Sequence, residues 1–260
     1  MSNALIELQN VSLQYRTRLH TGSTWRDWFT QRGKASAART ILALDNISLS
    51  IEAGARVGLI GHNGAGKTTL CRIIGGLITP SSGAITNLGT TRCIFNENFA
   101  LKNTLTGYEN GTLIASLLYP REANIDLLVR EAIDFAELQD FQHITVDQYS
   151  VGMRARLVLS IASAISADTL ILDEVFTGAD SAFRQKIRVR FQKMIDTANV
   201  CIIVSHYPET LVGLTDTTIV LSQGQIAFQG RSQQAMDFYL SQLAYTTQQP
   251  RTPSPLTETF

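Results

Sequence analysis

Apolar and polar residues alternate from the start of this chain, and the period of the alternation changes along it. ALIELQNVSLQY, over 4–15, repeats every two residues, as a strand with one buried face does. A second β-type stretch covers 46–60, and its ARVGLI segment is apolar enough for a strand buried on both faces. KTTLCRIIGGL, beginning at Lys67, then reads as a helix, while GGLITPSSGAITNLGT is rich in turn residues and predicts a short hairpin after it. A further strand is expected at 91–96. From about 98 to 165 apolar residues recur three and four apart, in LTGYENGTLIASLL and NIDLLVREAIDFAELQDF, which predicts an all-helical segment. Strand character returns at Thr169, followed by a helix over 180–197, a strand over 200–204, a hairpin around Gly224 and a last helix over roughly 231–243. These elements predict an α/β domain over 1–243 with a β-rich lobe and an inserted α-helical subdomain.

Candidate chemistry sits where the pattern switches from strand to helix. Residues 61–69, GHNGAGKTT, match G-x-x-x-x-G-K-[ST], with Gly61, Gly64, Gly66, Lys67 and Thr68 in the required places and His62, Asn63, Ala65 and Thr69 completing the loop. Glycines let the backbone close around a triphosphate, and the following helix presents its positive end to it. Lys67 is then placed to neutralise the β- and γ-phosphates, and the Thr68 hydroxyl to ligate Mg²⁺. The apolar run Thr169–Leu172 delivers Asp173 and Glu174 to the carboxyl end of a strand, where open parallel sheets bind ligands. Asp173 is expected to hold Mg²⁺ through a water, and Glu174 to polarise the attacking water. His206 follows NVCIIVS, another such strand, and is expected to contact the γ-phosphate.

YSVGM, at 149–153, precedes the long helical run RARLVLSIASAIS and puts Ser150 and Gly152 at a helix N-terminus. Read alone, Ser150 is a helix cap without a ligand. Read with the other segments, it is half of a second anion site on the inserted subdomain, which would clamp the γ-phosphate bound by another copy of the chain.

Charge narrows the function classes. Lys and Arg number 22 against 22 Asp and Glu, and the absence of a basic excess argues against a nucleic-acid binder. Cys71, Cys93 and Cys201 lack metal-ligand spacing and read as reduced, partly buried thiols of a cytoplasmic protein. Cys71 lies one helical turn past Lys67, so a thiol reagent is expected to disturb nucleotide binding. The chain opens on a strand rather than a signal peptide, and its longest apolar run, 157–167, is too short to span a bilayer. A transport role therefore requires another polypeptide to supply the membrane path.

The ordered set GHNGAGKT, YSVGM, TLILDE and IIVSH resembles the nucleotide-binding subunits of ATP-binding cassette (ABC) transporters over roughly 4–242. YSVGM in place of LSGGQ, LTGYEN at 105–110 and DEVFTGAD at 173–180 resemble the ATPase subunits that export O-antigen, capsule or teichoic acid. The resemblance implies a phosphate-loop NTPase core, ATP and Mg²⁺ as ligands, and a homodimer that sandwiches two ATPs. It further implies integral membrane permease subunits as partners, with a lipid-linked polysaccharide as the substrate moved through them. The chain would then be peripheral, on the cytoplasmic face of the inner membrane. By the same resemblance Tyr15 stacks on adenine and Asp180 acts across the dimer. Glu97, beside Asn96, stands where most members place a metal- and permease-linked Gln. Other ABC transporters, and soluble ABC-type ATPases, are the alternative readings.

Several features depart from the family. Val151 replaces a Gly, and a β-branched residue disfavours the positive φ that Gly allows. Met153 removes the signature Gln amide. Both changes are expected to weaken nucleotide-driven dimerisation without abolishing hydrolysis. Residues 16–41 form an insertion in which Trp25, Trp28 and Phe29 share helical spacing and six basic residues face only Asp27. That composition suits an amphipathic helix at an anionic membrane surface, and the polysaccharide exporters resemble this chain in carrying a helix there. A surface helix packed on its own domain is the other reading. The tail over 244–260, with three prolines and little to bury, is expected to be disordered.

Overall fold

The structure, a computed structural model, describes residues 4–18, 38–95, 100–173, 181–205 and 207–248. Six strands form the central sheet: β3 (Arg56–Ile60), β5 (Thr91–Phe95), β6 (Thr169–Asp173), β7 (Val200–Val204), β8 (Thr217–Ser222) and β9 (Gln225–Arg231), in the order β5-β6-β7-β3-β8-β9. All neighbours are parallel except β9, which closes a hairpin with β8. β6 and β7 are buried at every position, which explains their unbroken apolar sequences. Alternate residues serve different layers. Ile171, Val200, Ile202 and Val204 join one core, and Leu170, Leu172, Cys201 and Ile203 join the core on the opposite face.

The first of those cores is shared with a three-stranded antiparallel sheet, β2-β1-β4, made from β1 (Ala4–Arg18), β2 (Ala38–Glu52) and β4 (Ser82–Asn87). Helix α1 (Lys67–Ile74) lies in this layer and contributes Leu70, Cys71, Ile73 and Ile74. Two expectations change here. Residues 82–87 do not form a hairpin of their own; they pair with β1 in the register Leu8↔Ile85. The strands also run further into the expected insertion, with Arg16↔Thr40 and Arg18↔Ala38 paired. Trp25, Trp28 and Phe29 lie outside the described residues.

The helical subdomain comprises α2 (Gly107–Leu118), α3 (Ile125–Ala136) and α4 (Val151–Ala162). Thr106 and Glu109 form a reciprocal capping box that starts α2, and Asn124 caps α3. α4 is apolar nearly all round because it faces two cores. Leu157, Val158 and Ile161 pack with α2 and α3, whereas Ala155, Leu159 and Ala162 pack towards the sheet. It is the joint between subdomain and core. On the sheet side it meets α5 (Ser181–Thr197), which buries Phe183, Ile187, Phe191, Met194 and Ile195 at helical spacing. Glu137, just past α3, accepts from Lys186 of α5 at 2.9 Å. The chain continues through α6 (Pro208–Leu214) and α7 (Ser232–Gln248). α7 runs five residues past its expected end at 243, into the segment expected to be disordered; 249–260 lie outside the described residues.

Candidate nucleotide site

The loop 61–66 joins the carboxyl end of β3 to the N-terminus of α1. Gly66 caps the helix at φ 104°, in the left-handed region that favours glycine. A methyl group there would also stand 2.7 Å from the Ala43 carbonyl oxygen and 2.8 Å from Leu44 Cδ2. Gly61 is bare for a different reason: a side chain would land on the Leu221 carbonyl oxygen. The loop is clamped from outside, since the Gly224 amide donates to the Ala65 carbonyl at 3.1 Å and Asp45 N donates to Gly224 O at 2.9 Å. Ala43, Asp45 and Gly224 therefore support the site, a role that their sequence context does not predict. Only the hairpin at Gly224 left a local signal, because β2 reaches the loop through tertiary packing.

Lys67 is buried, with 7% of its surface exposed, and its ammonium donates to the Gly61 carbonyl at 2.7 Å and the His62 carbonyl at 3.1 Å. The charge is thus held over the loop that it would neutralise a phosphate in. Thr68 donates its hydroxyl to Asp173 Oδ2 at 2.8 Å. Asp173, itself buried, ends β6 in register with Val204 of β7 and Phe95 of β5. β3, β6 and β7 present their carboxyl ends at one edge of the sheet, so the phosphate loop, Asp173 and Ser205 meet there. His62, Asn63 and Gly64 are exposed at that edge, while Ala65 is buried and Thr69 half-buried in the first turn of α1.

Four expected site residues, Glu97, Glu174, Asp180 and His206, lie outside the described residues, as does Asn96. Tyr15 is half-buried against the β-lobe core and pairs with Ile41, two residues from the Ala43 carbonyl that touches the loop. Ser150 is the N-cap of α4 and accepts from Met153 N at 3.2 Å. A side chain at Gly152 would meet only Ser150 Oγ, at 3.8 Å, so the backbone beside Ser150 is open to approach. Val151 starts α4 and is not among the positive-φ residues. The conformational objection to valine there falls away: a helix N-terminus asks for ordinary helical dihedrals. What remains is an apolar side chain, 68% exposed, on the surface that would face another copy.

The thiol expectation also changes. Cys71 is fully buried, and burial, then the Asp173 charge and Cys93, push its pKa well up, with Lys67 opposing. Cys93 is pushed up to about 12 by burial first and Asp173 second, and Cys201 to about 12 by burial. Nucleophilic attack needs the thiolate, so these thiols are inert in the folded chain.

A lysine-bearing phosphate loop beside a strand-end aspartate, with a Ser-capped helix on an inserted helical subdomain, defines the ATP-binding cassette class. Residues 44–177 match the ABC transporter family, and the chain belongs to that family. The chain is an ABC-type ATPase, and ATP is its nucleotide. The chain is 35% identical over 194 residues to the O-antigen export system ATP-binding protein RfbE of Yersinia enterocolitica, covering 75% of this chain and 81% of that one. It is 35% identical to the teichoic acids export ATP-binding protein TagH of Staphylococcus epidermidis (77% and 75% covered). It is 31% identical to the ATP-binding protein BexA of Haemophilus influenzae (85% and 91% covered). Among solved structures, the ATP-binding cassette MJ0796, as a dimer bound to ADP and Pi, superposes with a TM-score of 0.64 at 24% identity, over 87% of this chain and 98% of that one. That likeness is one of fold.

Proposed function

We propose that this chain is the ATP-hydrolysing subunit of an exporter that moves a lipid-linked polysaccharide or similar polymer across the cytoplasmic membrane. The observation that carries the ATPase reading is the Thr68–Asp173 contact at 2.8 Å, at the mouth of a loop already spanned by Lys67. Two hard oxygen donors in contact suit Mg²⁺, which takes oxygen ligands from protein and phosphate together. Thr68 and Asp173 would hold it, with Glu97 a further candidate, and when bound it neutralises charge on the β- and γ-phosphates.

The chain's own residues supply the rest. Lys67 needs no large rearrangement to meet a phosphate, because the two carbonyls keep its ammonium at the loop. The amides of the loop and of the first turn of α1, through Thr69, bind the remaining phosphate oxygens. Glu174, next after Asp173, takes the proton of an attacking water. His206, after the adjacent strand, steadies the transferred phosphoryl group. Tyr15 stacks on the adenine.

Ser150 and Gly152 of one chain would close over the phosphates held by a second copy, with Asp180 across the interface, so the competent unit is a dimer. Among the described residues no helix is long and apolar enough to cross a membrane, and the membrane path belongs to permease subunits. The chain would sit peripherally on their cytoplasmic face, coupled through the loop around Glu97. The names of the relatives, all of them ATP-binding proteins and two of them export proteins for O-antigen or teichoic acid, support the exporter reading. Tagged chain recovered from native membranes should bring down a multi-span membrane protein, and its loss should leave the polymer inside the cell. Recovery free of membrane protein, bound to nucleic acid or ribosomes, would overturn the reading.

A further inference from the structure

We propose that the cleft between the start of β5 and the C-terminal end of α2 is a binding site for a small soluble oxyanion, a phosphate- or carboxylate-bearing compound, gripped by Arg92 and Arg121. The cleft encloses about 430 Å³ and is lined by Thr91, Arg92, Tyr119, Arg121 and Glu122, among others. It stands apart from the phosphate loop: Arg92 pairs with Leu170, three residues before Asp173, or roughly 10 Å down the strand.

Arg92 is the unusual residue. It sits in a short strand between half-buried Thr91 and buried Cys93, only 9% exposed, yet its Nε and Nη1 have no hydrogen-bond partner. Its contact is the face of Tyr119, with Cζ 4.0 Å from the ring centre. Stacking of this kind engages the ring and leaves the N–H donors unused. The Tyr119 hydroxyl does not relieve them, because it donates to the Ile161 carbonyl at 2.7 Å and lies 3.0 Å from that of Ala162. Burial also holds the guanidinium below its ordinary pKa, the mark of a charge short of solvation. Native proteins leave very few buried polar groups unmatched, and a buried cation least of all.

The surroundings identify the missing partner as an anion. Arg121 lines the same cleft and has no ion pair among the described residues. Glu122 is the acid at the rim, and its Oε1 is engaged by the Asn124 amide at 3.1 Å, so two cations face one carboxylate. The planar fork of a guanidinium matches paired oxygens of a carboxylate or phosphate. The volume lies within the range of small-molecule sites, about 300–1,000 Å³. One wall is core sheet and the other is helical subdomain, so an anion bridging Arg92 and Arg121 would pin the two parts together.

The test uses the full chain saturated with Mg·ADP, so that the phosphate loop is filled, at ionic strength held constant with chloride. Inorganic phosphate and succinate are titrated separately by calorimetry into wild type, Arg92→Gln and Arg121→Ala. Saturable binding that weakens about tenfold or more in both variants is expected, as for the loss of a hydrogen-bonded charge. A response to phosphate alone or to succinate alone supports the site and fixes which oxyanion it takes. Should Arg92→Gln fail to fold, the exposed Arg121→Ala carries the test. Absent or unsaturable binding, or equal binding in wild type and Arg121→Ala, would leave Arg92 held by its stacking on Tyr119 alone and overturn the proposal.

Discussion

Replacing Thr68 by Val keeps the shape of the side chain and removes one hydroxyl, which makes it the sharpest probe of the metal end of the site. In the free protein that hydroxyl donates to the buried Asp173 carboxylate at 2.8 Å. A hydrogen bond to a charged group contributes about 1.5–3 kcal/mol, and its loss leaves one carboxylate oxygen without that donor. For a chain of this size about 2 kcal/mol corresponds to a fall in Tm of roughly 4–8 °C. Turnover should suffer far more, on the order of a hundredfold, because the same oxygen would ligate Mg²⁺; even supporting residues around metals cost about 10–100-fold. Thr68→Ser restores the hydroxyl and should recover most of both. The assays are thermal melting of the nucleotide-free chain and steady-state phosphate release at saturating MgATP. If Thr68→Val melts lower but hydrolyses within about threefold of wild type, the hydroxyl is structural and the assignment of this corner to metal is wrong. Equal damage from Thr68→Ser would point to packing at the methyl instead.

Other outcomes follow from the same geometry. Gly66→Ala combines a positive φ with a 2.7 Å approach to the Ala43 carbonyl; it should cost about 2–4 kcal/mol and abolish nucleotide binding in a titration. Gly64→Ala has open space around it and should cost only about 1–2 kcal/mol of backbone strain. None of Cys71, Cys93 and Cys201 should react with a thiol reagent at pH 8 until the chain is unfolded, when all three should; fast labelling of the native chain would refute their burial. Because Cys93 and Cys201 titrate near 12 when folded against an ordinary 9.0, the native state keeps protons that the unfolded chain releases. Their contribution is therefore full below about pH 9 and is lost as the pH rises towards 12, a decline that denaturant titrations across that window should record. Met153→Gln, restoring a side-chain amide beside Ser150, should tighten the ATP-dependent dimer in sedimentation; an unchanged dimer constant would remove residue 153 from the interface.

Much of the nucleotide site was legible because its parts are local. A glycine loop between strand and helix, and an aspartate closing an apolar strand, each follow from a few consecutive residues. The sheet's parallel order then brings Thr68 and Asp173 together across the chain. What stayed hidden depends on distant partners. Residues 82–87 look like half of a hairpin, since their turn residues are local and the strand they join, β1, lies far back in the chain. The part of the loop's clamp that β2 supplies, at Ala43, has no sequence signature. Cys71 read as reachable from its place on the helix, but its side of α1 faces the core. Val151 stands where the family resemblance implies a glycine, but the first turn of α4 sets its conformation. Arg92 is, in sequence, one basic residue near the start of a short strand; only packing strands its donors against Tyr119.

The central claim is that one chain binds ATP through the loop at Lys67 and hydrolyses it with the carboxylate that follows Asp173. The most direct measurement is MgATP binding and phosphate release by wild type and Glu174→Gln, with the oligomeric state followed in the same samples. Glu174→Gln should bind ATP as well as wild type, accumulate as a dimer, and lose turnover by about 10²–10⁴-fold, the range for a positioned general base. Full turnover in Glu174→Gln, or ATP binding that survives Lys67→Ala unchanged, would contradict it.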